Sequence, residues 1–401
     1  MTAAALAPFT RATDPFARYR LVGNVMAALV LLVAVEEIWR NWLAPKPLDF
    51  ISFWGAARLA IAGNPALAYD LTAIHQMQSA VADFGSTGAQ MPFPYMPAFL
   101  LLVMPFGLLP FPLAMALWLT ATATAYLVAV KRLFPAAGWL PLAFPPVLVD
   151  FAIGQNGFLT AALFAAAMAA LPRRPLVAGL IAGCLIFKPQ LGLFLPIAFV
   201  ASREWRAIAG AAMSSIVVTI SGAVVFGLGT MAAWVAQLPL YGQIARDGSV
   251  GWIQFTSVYS AARQAGAAAN LALSLHVIVA TAAAWAVWRA WRSSRDPLAK
   301  ASVLACATVL ASPYLFLYDE LILVIPFLWL ARNGCNPAVL TGLWLLPVVI
   351  IGQHLLDPGA VNLGPILPIA LLILVVRRLQ QRPDIRLPHV EVARAAVAQH
   401  S

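Results

Sequence analysis

The sequence predicts an all-α polytopic membrane protein with about 12 transmembrane helices, and three observations predict it. Of its 401 residues 62% are hydrophobic and 10% charged, with a mean hydropathy of +0.85; soluble domains carry about 25% charged residues. Long apolar runs recur along the whole chain, and Lys and Arg gather at alternate ends of them. Backbone groups in lipid must be satisfied internally, which leaves helices or closed barrels, and the alternating ten-residue pattern of a barrel strand is missing. The formal charge of +10 is therefore read as topology rather than as a nucleic-acid footprint. Cys184, Cys306 and Cys335 lie in apolar runs or a cytoplasmic turn, so no disulfide is expected. There is no tandem repeat, low-complexity tract or soluble domain.

Residues 1–20 hold Arg11, Arg18 and Arg20 and suit a cytoplasmic lead-in. The first membrane helix runs from about 21 to 39. It is too long for a signal-peptide core and lacks a small-residue cleavage site. It ends at Glu36, Glu37 and the interfacial pair Trp39 and Trp42. Residues 40–110 form a first external loop. Within it 51–62 reads as an amphipathic helix stopped by Gly63-Asn64-Pro65, and 70–84 as a second. The run 96–109 has 14 residues, Pro97 and Pro105 among them. As a helix it would span about 21 Å, short of a bilayer core of about 30 Å. If it crosses, Lys131-Arg132 and Arg173-Arg174 fall on opposite sides. An interfacial or re-entrant helix puts both pairs inside, as the positive-inside rule prefers.

Crossings then follow at about 111–130, 139–153 and 157–171, with a hairpin at 175–202 whose tip is Lys188-Pro189-Gln190. A crossing at 207–228 leads to a second external loop, 229–265, and another crossing at 267–288. Hairpins at 299–331 and 337–376 complete the 21–376 membrane domain, and 377–401 is a basic cytoplasmic tail. This arrangement places 19 of the 25 Lys and Arg residues inside. Several of the helices are too short to cross fully, so their outer tips should line a sunken polar chamber, because irregular backbone at that depth survives only beside protein or water.

Asp49 opens the 51–62 helix and fits two roles. Asp is a preferred N-cap, and a single carboxylate suffices as general base for a hydroxyl attacking an activated anomeric carbon. Lys188 sits at the centre of an apolar hairpin, where a cation costs about 2.5 kcal/mol or more. It either snorkels to headgroups or binds a phosphate as a point charge. Tyr318 and Asp319 mark another tip, Asp319 as a helix cap or a site residue. Gln155 and Asn156 form a turn or contact a sugar, Gln190 lies at the tip with Lys188, and His354, at the tip between the last two helices (353–362), is an interfacial histidine or a ligand. The aromatic residues of 229–265 are interface anchors or sugar-stacking platforms. No HExxH, CxxC or phosphate-binding loop is present, so neither a metal nor another cofactor is expected.

Leu48-Asp49-Phe50, Gly63-Asn64-Pro65, Tyr69-Asp70, Phe93-Pro94-Tyr95-Met96-Pro97, Gly154-Gln155-Asn156, Phe187-Lys188-Pro189-Gln190 and Ser312-Pro313-Tyr314 with Tyr318-Asp319 occur in that order. Together they resemble glycosyltransferase family 87, the polyprenol-phosphate-mannose-dependent membrane mannosyltransferases of the GT-C superfamily. The resemblance implies a GT-C-like bundle, juxtamembrane helices in the first external loop, and an acidic catalytic base there, which maps to Asp49. It also implies a lipid-phosphate sugar donor and inversion at the anomeric carbon. The chain departs from the family pattern at 66–69, Ala-Leu-Ala-Tyr.

The expected function is hexosyl transfer from a polyprenyl-phosphate sugar to a glycan or glycolipid acceptor at the outer face of the inner membrane. Asp49 would be the base, Lys188 would bind the donor phosphate, and Tyr95, Gln155, Asn156, Gln190, Tyr318, Asp319 and His354 would contact substrate. The competing expectation is a secondary transporter or lipid flippase, which short broken helices and intramembrane charge also suit. Against it stand the lack of an inverted repeat and of paired charges near mid-depth.

Overall fold

The computed structural model describes residues 14–46, 48–84, 91–357 and 359–381, with backbone alone at 244 and 245. The expected lead-in up to residue 13 and the tail from 382 lie outside the described residues. Those residues fold into sixteen α-helices and several 3-10 turns. In chain order the helices are α1 (Ala17–Leu43), α2 (Phe50–Ile61), α3 (Leu71–Ser79), α4 (Ala98–Gly107), α5 (Phe111–Leu133), α6 (Pro146–Ile153), α7 (Gly157–Ala170) and α8 (Pro175–Gly183). They continue with α9 (Leu195–Ala201), α10 (Trp205–Asp247), α11 (Val258–Gln264), α12 (Ala269–Ser293), α13 (Pro297–Ala311), α14 (Val324–Arg332), α15 (Pro337–Leu356) and α16 (Ile366–Gln380). Five of them, α1, α5, α10, α12 and α15, are long and apolar enough to cross a membrane. The chain is thus an all-helical polytopic membrane protein.

Burial sorts these helices. Nearly every residue of α13 and α14 is buried, so both run through the centre of the bundle. The long helices instead turn large apolar side chains outward, among them Val224 and Leu228 on α10, Ile278 on α12 and Val349 on α15. Such faces suit lipid rather than water. α8 packs against α10 through small residues four apart. A Cβ at Gly179 would stand 2.0 Å from the Ala207 carbonyl oxygen, and one at Gly183 would stand 2.1 Å from Ser214 Oγ. Close backbone approach of this kind is how helices associate where no water drives them together.

Three sequence expectations need correction. The 139–153 crossing is one 3-10 turn, Leu140–Ala143, followed by the eight-residue α6, with a further 3-10 turn, Pro135–Ala137, just before it. Pro141, Pro145 and Pro146 remove amide donors that a continuous helix would need. The 229–265 segment is not mainly loop, since α10 continues to Asp247. Gly227 (φ 81°, ψ 159°) breaks the helix, which then resumes, so the chain bends there without stopping. The 51–62 helix, expected to be amphipathic, is buried on nearly all sides; in α2 only Arg58 is exposed. Trp54 Nε1 donates to Leu109 O at 3.0 Å and Arg58 to Gly107 O at 3.4 Å, which lays α4 against α2. α4 is ten residues, about 15 Å. The hairpin tip at 188–190 is built from two further 3-10 turns, Cys184–Phe187 and Pro189–Gly192.

The segment from Met91 to Pro97 runs along the rim of a cavity. Pro92, Pro94 and Pro97 have no N–H to place, but their neighbours' carbonyls still need donors. Side chains supply them one after another. Gln78 donates to Met91 O (2.7 Å), Ser52 to Pro92 O (2.8 Å), Tyr241 to Phe93 O (3.1 Å), Trp234 to Pro94 O (3.1 Å) and Tyr69 to Tyr95 O (2.9 Å). Helices α2, α3 and α10 and the Pro65–Tyr69 turn are thereby joined along one edge.

Candidate active site

Asp49 stands one residue before α2 but does not cap it. Its backbone is already helical (φ −55°, ψ −33°) and its side chain makes no cap hydrogen bond. The preference of Asp for N-caps is therefore not what holds this carboxylate. Asp70 is the residue that caps, accepting from Ala73 N at 2.8 Å to start α3. Asp49 Oδ2 instead accepts from Gln155 Nε2 at 3.0 Å, across 106 residues of chain. Burial raises the Asp49 carboxyl above its ordinary range, while the Gln155 hydrogen bond and the Lys188 charge draw it partly back.

Gln155 lies in the turn between α6 and α7. Gly154 leaves α6 in the left-handed conformation (φ 73°), and a Cβ there would stand 2.6 Å from Phe50 Cβ. The turn can press on the start of α2 because that residue is glycine. Asp150 fixes the other side of the turn. It is fully buried and accepts from Gly157 N (3.2 Å) and Phe158 N (2.6 Å), the first amides of α7. Those amides have no partner within their own helix. Asp150 is thus a structural cap.

Next to Gln155, Asn156 Oδ1 accepts from Lys188 Nζ at 3.2 Å. Lys188 also pairs with Asp319 Oδ1 at 2.5 Å and sits 4.6 Å from the centre of the Tyr318 ring. The second Asp319 oxygen accepts from Phe316 N at 3.2 Å. Lys188 is buried and does not snorkel: carboxylate, amide and aromatic face replace its hydration. Paired charges, which the sequence did not show, are therefore present.

These groups border a cavity of about 1000 Å³, at the upper end of small-molecule sites. Asp49, Tyr95, Gln155, Lys188, Gln190 and Tyr318 line it. Asn156 and Asp319 stand behind the wall, acting on Lys188. His354 is not brought to the site: it is exposed near the end of α15 and does not line the cavity. The turn that follows α15 is held to another segment: Asn362 donates to Trp252 O and Phe255 O, both at 2.9 Å.

The sequence reading missed Ser52, Leu238 and Gln254, which also line the cavity, and it offered Trp234 and Tyr241 only as members of the 229–265 aromatic set, interface anchors or sugar-stacking platforms. For three of them a signal existed. Trp234, Leu238 and Tyr241 are spaced four and three apart, one helical face, which reading 229–265 as loop concealed. Tyr314, Phe316 and Tyr318 complete an aromatic stretch of wall, with the Phe316 and Tyr318 rings stacked 5.3 Å apart at 8°.

What this arrangement offers chemically is a raised carboxylate with one oxygen engaged, a buried ammonium, and stacking surface around a space large enough for a sugar. The model of glycosyltransferase family 87 matches residues 93–313, more than half of the chain. The match includes Tyr95, Gln155, Asn156, Lys188 and Gln190 and begins beyond Asp49. No curated protein and no solved structure matches the chain.

Proposed function

The chain belongs to glycosyltransferase family 87, a membrane glycosyltransferase, and from that premise we propose that it moves a mannose-like hexose from a polyprenyl-phosphate sugar to a glycan or glycolipid acceptor. The observation that carries this reading is Asp49: an uncapped, half-buried carboxylate on the wall of the cavity that also receives Lys188.

Asp49 takes the proton of the acceptor hydroxyl as that oxygen attacks the anomeric carbon. The bond from that carbon to the phosphate oxygen breaks, and the polyprenyl phosphate leaves with the electron pair. One displacement inverts the centre. Asp319 and Asn156 occupy two donors of the Lys188 ammonium, and the third serves the phosphate as its charge grows. The positive-inside distribution supports an inner-membrane enzyme whose cavity faces the exterior.

The test is transfer by the purified protein in proteoliposomes supplied with radiolabelled polyprenyl-phosphate mannose and membrane glycans. Label should move to the acceptor, and Asp49→Asn should lower turnover by about 10²- to 10⁴-fold with unchanged thermal unfolding. Full turnover in Asp49→Asn removes it as base. Transfer from a nucleotide sugar but from no polyprenyl-phosphate hexose overturns the donor assignment.

A further inference from the structure

We infer that Gln155 is a positioning residue for Asp49, and that the Gln155-Asn156 turn acts as a calliper between the base and the cation. The inference rests on the reading of Asp49 as base. Gln155 was grouped above with residues that touch sugar, but its amide is committed within the protein. Its Oε1 accepts from Asn156 N at 3.0 Å and from the Tyr95 hydroxyl at 3.2 Å. The backbone amide can only donate, so the oxygen end of the side chain must face it. The Nε2 end is thereby turned to Asp49 Oδ2. One carboxylate oxygen is held, leaving the other to accept a substrate proton.

The adjacent residue grips the other functional group. Asn156 Oδ1 holds Lys188, so consecutive side chains of one three-residue turn fix the carboxylate and the ammonium. The turn itself is anchored on both flanks, by Gly154 against Phe50 and by Asp150 on the amides of Gly157 and Phe158. Any shift of the turn moves base and cation together. A shift of Gln155 alone frees the carboxylate to rotate.

The experiment compares Gln155→Met and Gln155→Glu with the native enzyme, reading kcat, both KM values and the acid limb of kcat/KM against pH. Methionine keeps the length and removes the donor. Its kcat should fall about 10- to 100-fold with both KM values unchanged, and its acid limb should move to higher pH, because the lost hydrogen bond had favoured the carboxylate. Glutamate sets a like charge beside Asp49 and should move the limb further the same way. A raised KM with an unmoved limb would show that Gln155 touches substrate, and it would overturn the inference; so would native kinetics in Gln155→Met. Should Gln155→Met not fold, Tyr95→Phe takes its place, removing one of the two donors that orient the amide: an acid limb moved upward supports the inference and an unmoved one overturns it. Asp49→Asn separates the two claims. If it retains turnover, the base assignment fails; if it is inactive while Gln155→Met and Tyr95→Phe keep the native limb, the calliper alone fails.

Discussion

Lys188 Nζ lies 2.5 Å from Asp319 Oδ1, joining the tips of two hairpins 131 residues apart, and both side chains are almost wholly out of contact with solvent (5% and 0% exposed). Removing one partner strands the other as a buried charge. Asp319→Leu and Lys188→Met should each cost about 3–5 kcal/mol of stability, and the double variant much less than their sum. Unfolding of the four proteins in one detergent checks this. Equal and additive losses would show that the pair is not coupled.

Activity should depend on pH through Asp49. A base must be ionised to accept a proton, and burial lifts this carboxyl above its ordinary range. Native kcat/KM should therefore fall as pH drops, with a midpoint above that of an exposed aspartate. A pH-rate profile measures the midpoint; a limb at or below the ordinary range contradicts the environment described here.

Gly154→Ala should damage the site far more than its one added carbon suggests. Its φ of 73° disfavours any Cβ, and that Cβ would meet Phe50 at 2.6 Å. The backbone cost is about 1–2 kcal/mol. The displaced turn carries Gln155 off Asp49, and kcat should drop about 10²-fold. Gly138→Ala is the control: its φ is 60°, yet nothing lies within 4 Å of the added carbon. It should lose stability but keep kcat per folded molecule.

Gly227→Ala tests the bend in α10. The φ of 81° with ψ of 159° is a region nearly restricted to glycine, and holding alanine there costs about 1–3 kcal/mol. The relaxed backbone should re-aim residues 228–247 and loosen the Trp234 and Tyr241 bonds to Pro94 and Phe93. Amide hydrogen exchange in 228–247 should quicken. Unchanged exchange would show that the bend does not govern those contacts.

The sequence carried the helical class, the order of the apolar runs and most residues that meet at the cavity. Lys188 stood out because a cation is costly inside an apolar run, Asp49 as a carboxylate at the start of a helix in the external loop, and Gln155 as an amide in a turn between two apolar runs. Their partnerships were not legible. Hydrogen bonds spanning 106 and 131 residues leave no local periodicity, and Lys188 alone gives no hint that Asp319 neutralises it. Helix boundaries failed where two local signals conflicted. The crossing expected at 207–228 stops near Gly227, where α10 breaks and then restarts. Reading 229–265 as a loop hid the helical face that Trp234, Leu238 and Tyr241 share. His354 drew notice through its residue type, but it is exposed, and the turn after it is tied through Asn362 to Trp252 and Phe255.

The ribbon from Met91 to Tyr95 behaves like an edge strand whose partners are side chains rather than another strand. A strand paired to a strand can slip by two residues and recover its bonds. This one cannot, because its five donors differ in length and arrive from four separate elements. The rim is keyed, tooth by tooth, to a single register. An insertion of one residue between Pro92 and Tyr95 would therefore disconnect several elements together.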